Sequence, residues 1–288
     1  MTIGTAPPPD VTVPVAAPPE PRRRPAVPPP GLVLSWLLVL LVVAWAVFPG
    51  LFTAHGPYAG DPALSFAPPS WEHPFGADQL GRDLFSRAVH GAGTTLTATL
   101  VAVLVAFGAG TVIGLAAGYA GGALDTTVMR VVDVLLSIPS LLLAMVIVSV
   151  LGYSTYNVAL AVGIASIASF ARVMRAETIR VTHTDYVEAA HGLGVSRWGV
   201  VAGHVLPNAL GPVLALAALE FGTAVIAVAS LGFLGYGAPP PEPEWGLLVA
   251  EGRDFVALYP WISLLPGTVL ALVVIATHRI STSLRPNR

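Results

Sequence analysis

The sequence contains no cysteine, which excludes disulfides, thiol nucleophiles and thiolate zinc sites together. Lysine is missing as well, so all 14 basic residues are arginine. Neither a phosphate-loop lysine nor a Schiff-base lysine can exist, and any use of nucleotide energy needs another chain to hold the phosphates. Charge is scarce: 10% of residues are charged and 55% apolar, against about a quarter charged in an average soluble domain. A net charge of −2 gives no general attraction for nucleic acid, which needs a clustered basic surface. The 27 prolines are unevenly spread, with 11 of them in the first 30 residues, and a body rich in Ala, Val and Leu follows.

Residues 1–30, with proline runs at Pro7–Pro9 and Pro28–Pro30, bury too little apolar surface to offset ordering entropy; a disordered, partly polyproline cytoplasmic tail is expected. Residues 31–50 hold a nearly continuous apolar run from Gly31 to Phe48, long enough as a helix to cross a hydrocarbon core of roughly 30 Å. The rival reading is a signal peptide, but the long lead-in and the lack of a small-x-small cleavage site weigh against it. An extracytoplasmic loop is expected at 51–91. Further apolar stretches follow at about 92–118, 128–151, 157–176, 208–235 and 260–282, giving an all-α integral membrane protein of six spans.

Arginine placement orients it, because positive loops are retained in the cytoplasm. With both termini inside, eleven arginines fall on inner segments and only Arg82, Arg87 and Arg253 on outer ones. Arg172 and Arg175 end the fourth span, where they can snorkel to water; at a helix centre each would cost about 2.5–3.5 kcal/mol, so this helix is expected to continue below the membrane surface. Gly110, Gly114, Gly118 and Gly122 recur every four residues and form one face that admits a close helix partner; a moving gate is the bolder reading of this ladder.

The segment from Asp185 to Asn208 reads as a helix-turn-helix at the inner surface. Asp185 is a candidate N-cap with Glu188 behind it, Gly194 a left-handed stop, and Ser196 the cap of a second helix ending at Leu206-Pro207. Val187, Ala190, Leu193 and Trp198 are available for burial. Physically this is either a docking knob or an amphipathic loop lying on lipid headgroups.

Glu188-Ala189-Ala190, then Gly194, then His204-Val-Leu-Pro207 resembles the EAA loop of ABC importer permeases. The His-Val-Leu-Pro-Asn ending resembles the dipeptide, oligopeptide and nickel transporter branch. The run from His73 to Arg87, Asp125 to Asp133 with Ser137-Ile-Pro-Ser140, Ser230 to Gly237, and Pro243-Glu-Trp-Gly246 are similar to signature segments of the C-type permease of that branch. The resemblance spans about residues 32–285.

It implies a type I importer permease fold with its core at 92–285 and a coupling loop at 177–207. It also implies a partnership with a second permease, two ATPase subunits and an extracytoplasmic substrate-binding protein, in a cytoplasmic membrane. ATP and Mg would be bound by the partners, leaving this chain without cofactor and without enzymatic activity, and the cargo would be di- or oligopeptides, with nickel or another small solute of the same family as the alternative. Carried over by position, Glu188, Ala189, Ala190, Gly192, Gly194, Arg197, Leu206 and Pro207 would engage the ATPase. Two positions depart from the branch pattern: Val228 stands where an acidic residue is common, and Ile167 where Trp is common.

Other chemistry has weaker support. Glu220 lies inside a span, where an ionisable group marks a functional candidate; it is a pore residue, or the proton carrier of a secondary transporter. Arg130 and Asp133 are spaced to pair on one helix face, as a gate latch or as local compensation. Asp78, Arg82, Asp83, Glu244 and Trp245 are candidate contacts for the binding protein. The 53–90 loop, with Trp71, Phe75 and Phe85, forms either a ledge for it or a cover for the bundle. No metal site is expected: His183, His191 and His204 are seven or more residues apart and have no cysteine to complete a set. Serines at 137, 166 and 169 lack the elbow and base of a hydrolase.

Overall fold

The computed structural model describes residues 29–283; the expected tail therefore lies almost wholly outside the described residues. Among these there is no sheet, only two isolated bridges in the loop before the second helix. The chain runs α1 (Pro30–Val47), α2 (Leu84–Ala120), α3 (Gly122–Ser137), α4 (Ser140–Leu151) and α5 (Thr155–Thr182). It continues with α6 (Asp185–Gly192), α7 (Arg197–Val200), a π-helical turn (Val201–Val205), α8 (Leu206–Phe233), α9 (Trp245–Gly252) and α10 (Trp261–Ser283).

Five helices are long and apolar enough to cross a membrane; α3 and α4 make a sixth span only as a pair bent by 96°. The continuous third span expected over 128–151 is thus broken. Pro139 explains the break: it excludes helical backbone at Ile138, which is extended (φ −90°, ψ 130°), and cannot donate to a helical ladder.

The tightest packing joins α2 to α5, and the glycine ladder is its cause. A Cβ on Gly110 would sit 2.4 Å from the Phe170 Cβ, one on Gly114 2.4 Å from the Ala171 carbonyl, and one on Gly118 2.9 Å from the Arg175 carbonyl. Gly163 answers from α5, 2.8 Å from the Ala102 carbonyl. Gly122 does not belong to this face. It follows the end of α2, has φ +58° and meets nothing within 4 Å, because at Gly121 and Gly122 the chain must leave one helix and start another.

As anticipated, α5 runs on past the apolar stretch. Arg175 makes a bidentate ion pair with Asp125, and Arg172 pairs with Asp133. The expected Arg130–Asp133 pair is not formed: Asp133 faces α5, where a guanidinium meets it, while Arg130 is exposed.

The long loop before α2 packs as a ledge. Phe75 and Phe85 meet edge to face at 5.2 Å, and Phe85 continues to Trp45 of α1 at 5.7 Å. Trp71, by contrast, projects fully into the surroundings.

Candidate functional site

The knob at 185–207 is built by its caps. α6 starts at Asp185 with Thr184 as its N-cap residue, one position earlier than the sequence indicates, and Asp185 and Glu188 fall in the first turn, where the helix dipole favours negative charge. Gly194 (φ +81°) ends it: the Gly194 N–H donates to the His191 carbonyl at 3.0 Å and the Val195 N–H to the Ala190 carbonyl at 3.2 Å. These reversed bonds satisfy the last carbonyls. The Ser196 hydroxyl accepts from the Gly199 N–H at 3.2 Å and caps α7.

The second helix does not stop at Pro207. It passes through a π turn, in which the Leu206 N–H bonds five residues back to the Val201 carbonyl, and continues as α8. The widened turn admits a residue with no N–H to give.

Two of the four apolar residues proposed for burial are buried. Val187 and Ala190 join Phe170, Met174 and Val181 of α5 and Ala209 and Val213 of α8 in one core cluster. Leu193 is 85% exposed and Trp198 83%, because the Gly194 turn carries residues 191–198 away from the bundle. Among the family-matched positions, Glu188, Ala189, Gly192, Gly194, Arg197 and Pro207 are exposed, whereas Ala190 packs inward and Leu206 is half-buried against the same cluster. Ala190 therefore fastens the knob to the chain's own core rather than offering a free surface to a partner. α2 also reaches the knob: the Tyr119 hydroxyl donates to the Arg197 carbonyl at 3.4 Å.

A second place of interest is a small polar cavity between α4, α5 and α8, lined by Glu220, Thr223, Ser166 and Ser140 among small apolar residues. The Thr223 hydroxyl donates to Glu220 Oε2 at 2.8 Å. Thr223 is a residue missed in the sequence, where its spacing three after Glu220 was the available signal, and Ser166, weighed there only as a hydrolase serine, joins the pair once α5 and α8 are packed.

The five candidate binding-protein contacts are corrected by their burial: Asp78, Arg82, Asp83, Glu244 and Trp245 are all 4% exposed or less. They hold the ledge to α2 and α9. Asp78 accepts from the Leu80 and Arg82 N–H groups at 2.8 and 3.0 Å and from Arg82 Nε at 2.6 Å, while fully buried Arg87 donates to Glu251 at 2.8 Å. Trp245 Nε1 donates to the Ala88 carbonyl at 2.9 Å. Buried arginines require such partners, since an unpaired buried charge is costly. Arg87 and Glu251 are the residues missed here; a basic residue in an apolar flank was their signal.

Glu244 caps α9, accepting from the Gly246 and Leu247 N–H groups at 2.9 Å each and from the Thr95 hydroxyl at 3.2 Å. Burial pushes its carboxyl above the ordinary carboxylate range, and these three donors only partly pull it back. The folded state then binds a proton more readily than the unfolded chain, so this group's contribution to stability is present at low pH and lost as pH rises from about 4.5 through the raised value. In Glu244→Gln, thermal melts across pH 4–8 are expected to show a shallower decline, at a lower plateau, since the amide nitrogen cannot accept from Leu247.

Residues 110–287 match the family described as binding-protein-dependent transport system inner membrane component. Over 256 residues the chain is 37% identical to the probable D,D-dipeptide transport system permease protein DdpC of Escherichia coli K12, covering 89% of this chain and 86% of the relative. It is 38% identical to the dipeptide transport system permease protein DppC of Alkalihalophilus pseudofirmus (88% and 83% covered) and 37% identical to the glutathione transport system permease protein GsiD of Pectobacterium atrosepticum (88% and 84%). Among solved structures, a chain of the inward-facing MetNI methionine ABC transporter superposes with a TM-score of 0.54 at 22% identity, covering 70% of this chain and 98% of that one. An amino acid ABC transporter crystallised with histidines gives 0.54 at 17% identity, with 69% and 92% covered. At these identities the structures attest the fold.

Proposed function

The chain belongs to the family of binding-protein-dependent transport system inner membrane components, and from that premise we propose that it forms half of an ATP-driven import pathway for short peptides. Membership makes it a transport permease, which is consistent with a subunit that has no enzymatic activity of its own and favours this reading over a proton-driven secondary transporter using Glu220. Peptide cargo is supported by the dipeptide and glutathione transport named for its relatives.

The observation that carries the mechanism is the continuity of one core cluster from the knob into α5 and α8, the two helices that also frame the Glu220 cavity. Glu188, Gly194 and Trp198 face a groove on an ATPase subunit in the cytoplasm, and Val187 and Ala190 tie that contact to the bundle. When two ATPases close on ATP, the knob is displaced, and interdigitated side chains pass the displacement to α5 and α8 because a packed core shifts as a unit. The cavity then changes its access from one side to the other. ATP and Mg stay on the partners, consistent with a chain that has no lysine for a phosphate loop. The exposed ledge residues Trp71, Tyr58 and Leu80, rather than the buried five, receive the substrate-binding protein.

The test is reconstitution in vesicles with the second permease, the ATPases and the binding protein. ATP-dependent dipeptide uptake that vanishes when any one component is left out is expected; uptake driven by a pH gradient without ATP would refute the proposal. In the same vesicles Glu220→Gln is expected to reduce peptide uptake several-fold while basal ATP turnover stays within about twofold, because the carboxylate lies at the cavity and not at the ATPase contact.

A further inference from the structure

The ledge carries a histidine pair that the transport reading leaves unused. His55, from the stretch after α1, and Glu72 and His73, from the stretch before α2, each offer a ligand atom within 4.8 Å of the others. The geometry points to a zinc-type divalent metal site at the extracytoplasmic edge of the permease, with His55, Glu72 and His73 as its protein ligands.

The surroundings are built to hold these groups. Nδ1 of His73 lies 3.0 Å from Oδ1 of Asp83. Asp83 is itself buried, and its other oxygen accepts the Ser86 N–H at 2.6 Å to cap α2. A fixed carboxylate thus takes one imidazole nitrogen, sets the tautomer and leaves Nε2 for a metal, which is the arrangement that orients and strengthens histidine ligands. His55 is anchored through its backbone: its carbonyl accepts the Ser86 hydroxyl at 2.6 Å and its N–H donates to the Thr53 hydroxyl at 3.1 Å. The two imidazole rings are 5.0 Å apart, close enough for both to reach one ion after small rotations.

Two nitrogens and one carboxylate oxygen suit a borderline ion, whereas magnesium and calcium take oxygen sets. Three protein ligands leave the fourth tetrahedral position to water or to a ligand from a docked protein. Bound there, the ion would clip the chain leaving α1 to the chain entering α2 and brace the ledge. The spacing of His183, His191 and His204 gave no sign of this trio, since His55 lies far from Glu72 and His73 in the chain and the fold brings them together.

The full-length chain, purified in lipid nanodiscs and stripped with a chelator, would be titrated with Zn2+ against a chromogenic competitor. One tight equivalent is expected, with His55→Gln and Glu72→Gln each weakening it at least about tenfold. Both residues are exposed, so metal-free melting should be unchanged and loss of binding would not reflect misfolding. X-ray absorption at the zinc edge is expected to show mixed nitrogen and oxygen ligands with imidazole scattering. Absence of a stoichiometric site, full binding by His55→Gln, or loss of binding on replacing His183, His191 and His204 would each overturn the assignment.

Discussion

Gly114→Leu is expected to leave no folded permease in the membrane, assayed as detergent-extracted monodisperse protein. The added side chain begins 2.4 Å from the Ala171 carbonyl and 2.8 Å from the Met174 Cβ. Ordinary overpacking costs about 1–3 kcal/mol when side chains can yield, but here the obstacle includes backbone on the facing helix. α2 and α5 must separate, and with them goes the contact that small residues supply where the bilayer provides no hydrophobic drive between helices. Gly108→Leu is the control. Gly108 is on the same helix, exposed, with nothing within 4 Å of its Cβ position, so that variant is expected to accumulate normally. Equal loss in both would mean that the ladder is not the reason α2 and α5 approach.

The second large effect belongs to the knob. Glu188→Lys and Gly194→Val are each expected to insert and fold as the parent does, yet to lose at least about tenfold of substrate-stimulated ATP turnover, or roughly 1.4 kcal/mol of coupling. Glu188 is exposed, so reversing its charge leaves the core intact and acts on the proposed ATPase contact. Gly194 sits at φ +81°, where a side chain on an L residue costs about 1–2 kcal/mol; a β-branched one forces the turn to reopen and swings Val195 to Trp198 out of position. Trp198→Ala should behave like Glu188→Lys, since its side chain is mostly free in this chain. Ala190→Leu should instead lower stability, because Ala190 is packed beneath the knob. Normal stimulated turnover in Glu188→Lys and Gly194→Val would remove the knob from the coupling path.

How far the sequence could be read depended on whether a signal was local or relational. Long apolar runs, the four-residue glycine interval and the left-handed glycine at 194 are local. Each fixes an outcome through hydropathy or a missing Cβ, whatever lies nearby, whereas the break that Pro139 makes in the expected 128–151 span went unread. They located all five long helices and the turn of the knob. The same reading overshot at Gly122, because a periodic pattern does not say where the helix beneath it ends, and at Pro207, because a π turn lets a helix accept a proline that local rules treat as a stop.

Charged residues behaved differently, since a charge announces only that it needs a partner. Asp133 found Arg172 on α5 rather than Arg130 on its own helix. Asp78, Arg82 and Glu244, attractive as surface contacts by their charge, turned out to be internal fastenings of the ledge. The apolar spans and the motif around Glu188 were sufficient on their own to determine a membrane permease. Tertiary structure alone decided which faces are free: Leu193 and Trp198 outward, Ala190 inward, His55 beside His73. Exposure and proximity depend on residues distant in the chain, and no local property of a side chain encodes them.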